Sequence, residues 1–141
     1  MATADRIFVD TSVLVHAHDL DSGLKRAIAE HVLKQLWQDE TGVLSTQVLQ
    51  EFYTALTGGS LSPVPRRAAR ELIHAYSVWP VVTLQAADLQ AASEFEERYR
   101  VSFRDAVIVA AARKSGAALL LSDTLLPHRA ITGLTVQNPF V

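Results

Sequence analysis

Short apolar runs, each closed by a polar residue, punctuate a sequence whose remaining apolar residues recur at helical spacing. Arg6-Ile7-Phe8-Val9 ends at Asp10, Val43-Leu44 ends at Ser45, and Ala118-Leu119-Leu120-Leu121 ends at Ser122-Asp123. Runs this short and this apolar read as strands covered on both faces. Strands that alternate with amphipathic helices build a parallel sheet with helices on its two sides. The expected fold class is therefore α/β, a three-layer α/β/α sandwich with a mostly parallel sheet. Two weaker strands complete it: Val78 to Leu84, which Pro80 restricts to a position near an edge, and a short one at Thr135-Val136.

The helical stretches are bounded by recognisable stops. Leu24, Ala27, Ile28, Val32 and Leu36 keep one face until Thr41-Gly42, and Val48, Leu49, Phe52, Tyr53 and Leu56 keep another until Gly58-Gly59. A loop from Ser60 to Pro65 leads to a helix through Ala68, Leu72, Ile73 and Tyr76, and a further helix spans about Ala86 to Arg100. Ser102 is a good N-cap for Phe103 to Ser115, whose interior is apolar nearly all round and hence buried, and Gly116 ends it. With no internal repeat and no linker-like segment, residues 1–141 read as a single domain, a length at which one core suffices.

Composition narrows the chemistry. There is no cysteine, so disulfides and thiolate metal sites are excluded, and any metal must be held by oxygen or imidazole. No apolar run approaches the roughly 20 residues that span a bilayer, so no membrane contact and a cytoplasmic location are expected. The formal charge of −2 does not suit a protein that coats nucleic acid electrostatically. Local basic groups exist at Arg66, Arg67 and Arg70 and again at Arg104, Arg113 and Lys114; their plain reading is a solvated helix face.

Four acids differ from the rest in being embedded in apolar segments: Asp10, Glu51, Asp105 and Asp123. Acids are seldom buried without a partner. Each has a structural alternative: Asp105 completes a capping-box pattern with Ser102, Asp10 and Asp123 suit turns or caps, and Glu51 can face solvent. Asp10 and Asp123 follow strands, however, and open parallel sheets place ligand sites beyond the carboxyl ends of their strands. If the four meet, two like charges 4 Å apart cost on the order of 4 kcal/mol at an effective dielectric near 20. A hard divalent cation, Mg²⁺ or Mn²⁺, resolves such repulsion and suits phosphodiester hydrolysis. Thr11, Ser12 and Ser122 add hydroxyls, and Arg104 a guanidinium, able to hold water or a substrate phosphate. Neutralising Asp10 or Asp105 is then expected to abolish hydrolysis while leaving the fold intact or more stable. His16 and His18 are two residues apart, unlike the spacing of paired helix ligands, and read as surface or packing residues.

The ordered set Phe8-Val9-Asp10-Thr11-Ser12-Val13-Leu14, Ser45 to Leu56 with Glu51, Ser102-Phe103-Arg104-Asp105-Ala106, Leu120-Leu121-Ser122-Asp123 and Asn138-Pro139-Phe140 resembles the PIN-domain family, in particular VapC-type toxins. The resemblance implies a PIN-like fold, Mg²⁺- or Mn²⁺-dependent cleavage of single-stranded RNA, homodimers and inhibition by a small cognate antitoxin. It implies Asp10 and Asp105 as principal metal ligands, with Glu51 completing the site and helping to activate water. The fourth acid departs from the pattern: similar proteins often read Ser-Glu-Asp-Leu where this chain has Ser122-Asp123-Thr124-Leu125. That shift keeps open a rival reading as a non-catalytic PIN-like module that binds RNA or a peptide.

Overall fold

A computed structural model describes residues 5–59, 62–125, 130–131 and 133–141, so Ser60 and Leu61 of the expected loop lie outside the described residues. The elements run β1 (Ile7–Val9), α1 (Thr11–His18), α2 (Leu24–Asp39), β2 (Gly42–Ser45), α3 (Thr46–Gly58), α4 (Arg66–Tyr76), β3 (Val81–Val82), α5 (Ala86–Tyr99), α6 (Phe103–Lys114), β4 (Leu119–Leu121), β5 (Ala130–Ile131) and β6 (Leu134–Gln137). The sheet order is β3-β2-β1-β4-β6-β5. All neighbours pair in parallel except β5, which runs antiparallel to β6 at one edge.

The mostly parallel α/β sandwich read from the sequence is the architecture found. The most apolar strands take the middle: β1 lies between β2 and β4, and Phe8, Val9, Leu44 and Leu120 are wholly buried. Helix α1 packs on both α2 and α3, and α3 on α4, while α5 packs on α6. The buried apolar residues from Phe8 to Val136 form one continuous cluster. Among the described residues, no helix is long and apolar enough to cross a membrane.

Register decides where the polar strand ends come together. Val9 pairs with Leu121, so Asp10 and Ser122 emerge side by side, and the backbone N–H of Asp10 still donates to Leu121 O at 2.9 Å. Helix α3 starts from β2 at Ser45, whose Oγ caps it by accepting from Val48 N at 3.2 Å. Helix α6 is capped in the same way by Ser102, which accepts from Asp105 N at 3.1 Å. Its faces are occupied by Ala106, Val107, Ile108, Val109, Ala111 and Ala112, all buried, so it is a core helix held with its first turn toward the acids.

Several boundaries differ from the sequence reading for identifiable reasons. Strand β5 was not expected; after Asp10, where the sequence suits a turn or a helix cap, the structure has the short helix α1, which Asp10 itself caps through a bond from Thr11 N to Oδ1 at 2.7 Å. Helix α2 ends on Glu40 in a left-handed conformation, φ 57°, and the anticipated stop, Gly42, is a strand residue instead. A side chain at position 42 has no room there, because the Trp79 ring occupies the place of its Cβ. The strand expected over Val78 to Leu84 shrinks to Val81–Val82, since Val78 and Trp79 close a turn onto Ala75 and Tyr76. Pro80 precedes that edge strand and contributes only its carbonyl, which accepts from Leu44 N at 3.0 Å. Phe52 and Tyr76 are core residues, packed edge to face, and the exposed face of α4 is basic, with Arg66, Arg67 and Arg70.

Candidate active site

Asp10 anchors the site. Its side chain is fully buried, and its Oδ2 accepts from Ser122 Oγ at 2.7 Å and from Thr124 Oγ1 at 3.3 Å while Oδ1 caps α1. A carboxylate with this many donors has its orientation fixed. Glu51 reaches the same place from the middle of α3, accepting from Thr11 Oγ1 at 2.6 Å and from Gln47 Nε2, one turn earlier, at 3.4 Å. Asp105 arrives from the first turn of α6.

The cation that holds these acids together belongs to the chain. The Arg104 guanidinium donates from Nη2 to Asp10 Oδ1 at 2.7 Å, Glu51 Oε1 at 2.6 Å and Thr11 Oγ1 at 3.1 Å. From Nη1 it donates to Asp10 Oδ2 at 3.2 Å and Asp105 Oδ1 at 3.1 Å, and from Nε to Glu51 Oε2 at 3.2 Å. Burial pushes the Glu51 carboxyl up, but the bonds from Arg104, Thr11 and Gln47 and the charge of Arg104 outweigh it and hold the group below the usual carboxylate range. Burial likewise opposes the charge on Arg104, but the bonds and charges of Glu51 and Asp10 raise its pKa further, so it stays protonated.

Three of the four acids singled out in the sequence thus share one cation. Asp123 does not join them. Its Oδ2 lies 3.3 Å from His16 Nε2, its Oδ1 is buried without a hydrogen-bond partner, and His16 Nδ1 contacts Ser22 Oγ at 2.8 Å. The residue after it, Thr124, is the one that turns to Asp10. Thr11 and Ser122 meet the cluster as expected, whereas the Ser12 hydroxyl is buried without a hydrogen-bond partner. Asp105 forms only half of the anticipated capping box: its N–H is capped by Ser102, but its carboxylate turns to Arg104. The second basic group of the sequence is dispersed, with Arg104 among the acids, Lys114 on Asp88 at 2.8 Å and Arg113 over the Phe95 ring. Gln47 and Thr124 were missed; Gln47 had a signal, its position one helical turn before Glu51, whereas His16, read as a surface or packing residue, lies edge-on to Phe140.

Among the described residues, no group of three acidic or histidine side chains is already spaced to enclose a metal ion. The donor chemistry nevertheless fits a hard divalent cation: carboxylates from three elements, backed by hydroxyls, are directed at one positively charged group. What they enclose at present is a guanidinium, at hydrogen-bond distances.

Fold and site together define a parallel α/β domain with acids gathered beyond the carboxyl edge of its central strands. The chain belongs to the PIN-domain family, whose model matches residues 7–131. No curated protein sequence matches it. Solved structures with the same fold include a toxin–antitoxin complex from Klebsiella pneumoniae, with a TM-score of 0.69 at 19% identity over 95% of this chain and 97% of that one. VapBC2 from Rickettsia felis, bound to a DNA fragment from its promoter, gives 0.65 at 17% identity over 94% and 97%. Mycobacterium tuberculosis VapC20, a sarcin-ricin loop cleaving toxin, gives 0.61 at 28% identity over 81% and 86%.

Proposed function

We propose that the chain is an endoribonuclease that depends on Mg²⁺ or Mn²⁺, and that it acts as the toxin of a toxin–antitoxin pair. The observation that carries this reading is the convergence of Asp10, Glu51 and Asp105 on a single cationic position. Membership of a nuclease family supports the reaction class, and the sarcin-ricin loop cleaving toxin among the neighbours supports RNA as the substrate. The neighbouring toxin–antitoxin complexes support a small antitoxin as partner. A homodimer and a cytoplasmic location belong to the same proposal.

In this reading Asp10, Asp105 and Glu51 would hold the divalent cation, which would supply positive charge against the phosphodiester and acidify water. Asp10 is the fixed ligand, because Ser122, Thr124 and the start of α1 leave it no other orientation. Glu51 is the most exposed of the three, at 31% against 0% for Asp10 and 19% for Asp105. Ionised and open to solvent, it is the group placed to take a proton from an attacking water. Thr11 and Ser122 hold the carboxylates in place, and Arg104, once released from the acids, is suited to clamp the phosphate bidentately. Asp123 has no direct place in this set, its carboxylate facing His16.

The binding-only reading is favoured by one observation, that Arg104 already fills the acidic site. Incubating the purified chain with structured RNAs decides between them. Cleavage is expected with Mg²⁺ or Mn²⁺ and loss of cleavage with EDTA and in Asp105→Asn; cleavage that persists in EDTA, or none with any RNA and metal, would leave only the binding module.

A further inference from the structure

We propose that Arg104 is an internal counter-cation that competes with the divalent ion, so that metal loading requires its side chain to leave Asp10, Glu51 and Asp105. The inference rests on the reading above that these carboxylates are the metal ligands. A magnesium ion sits about 2.0–2.1 Å from its oxygen ligands and needs lone pairs directed at it. On Asp10, Thr11 N, Ser122 and Thr124 already take part of the acceptor capacity, and what faces the site is spent on Arg104 at 2.7 and 3.2 Å. Both Glu51 oxygens are bonded to Arg104 as well, at 2.6 and 3.2 Å. The ion and the guanidinium therefore need the same oxygens and the same volume, and like charge keeps them from sharing it.

The exit is open. Arg104 enters from the first turn of α6, and its side chain is 33% exposed. An RNA phosphate at the mouth offers the displaced guanidinium a bidentate partner, so substrate and metal would each favour entry of the other. Without metal, the plug relieves the repulsion that three clustered acids create.

The test is Mn²⁺ binding, by calorimetry and by the loss of free-ion paramagnetic resonance signal, in the full chain without RNA. Arg104→Gln is expected to bind Mn²⁺ about tenfold tighter or more than the parent, the equivalent of one forfeited charge-assisted hydrogen bond. Arg104→Lys, with one compact ammonium in place of the fork, is expected to fall between. Circular dichroism establishes that each variant is folded; if the glutamine variant is not, the lysine variant decides alone. Mn²⁺ affinity equal to or weaker than the parent's in a folded variant overturns the proposal. Asp10→Asn separates the two failures: if it too leaves Mn²⁺ binding unchanged, the ligand assignment is wrong, whereas if it alone weakens binding, only the competition is wrong.

Discussion

Replacing Asp10 by Asn tests whether the acids of this site repel one another or are held together. If repulsion dominated, as the sequence alone suggests, removing a charge would leave the protein intact or stabilise it in the absence of metal. The structure reverses that sign. Asp10 is fully buried and accepts from Thr11 N, Arg104 Nη2, Arg104 Nη1, Ser122 Oγ and Thr124 Oγ1. An asparagine oxygen can still accept from Thr11 N and Nη2, but its amide nitrogen then faces Nη1 and two hydroxyls. The hydroxyls can rotate to become acceptors; Nη1 cannot. Converting a charge-assisted bond to a neutral one costs about 1 kcal/mol, and a donor left facing a donor costs about 1–3 kcal/mol. Breaking a buried ion pair from one side costs about 3–5 kcal/mol, and the partial exposure of Arg104 and its remaining bonds to Glu51 and Asp105 argue for the low end. A loss of about 3 kcal/mol corresponds to a fall in Tm of roughly 10 °C for a chain of this size. Thermal and urea unfolding in EDTA, followed by circular dichroism, measures it. Asp105→Asn is the control, because Asp105 accepts a single bond from Arg104, at 3.1 Å, and its replacement should cost about 1 kcal/mol or less. An Asp10→Asn protein as stable as the parent, or more stable, refutes the claim that Arg104 already compensates the cluster.

Two further outcomes follow from the geometry. Because the Glu51 carboxyl is held below its usual range in the folded chain, it contributes stability that is fully present above the unfolded carboxylate pKa and is lost as pH falls through the folded value. Between about pH 5 and pH 3 the parent should therefore lose Tm more steeply than Glu51→Gln, and parallel curves would show that the pairing is too solvated to matter. Gly42→Ala should destabilise by about 1–3 kcal/mol in urea, since the added methyl enters the space of the buried Trp79 ring; a neutral effect would mean that the ring yields freely.

What the sequence disclosed and what it hid divide along one physical line. Strand and helix identity were legible because Phe8, Leu44, Leu120 and the α6 interior are buried on every side, and burial writes itself into local apolar pattern. The edges were less legible, since β3 and β5 contribute two residues each and carry no periodicity to read. In the site, an acid embedded in apolar surroundings marked Asp10, Glu51 and Asp105, but no local pattern reveals which way a side chain turns. Asp123 and Thr124 are adjacent, yet the threonine faces Asp10 and the aspartate faces His16, a residue 107 positions away. Arg104 is the strongest case: beside Asp105 in sequence it looks like a surface cation, and only the meeting of β1, α3 and α6 makes it the charge around which the acids are arranged. The same meeting explains how such a cluster is tolerated in the fold, because the helix that delivers one of the acids also delivers the arginine that neutralises them.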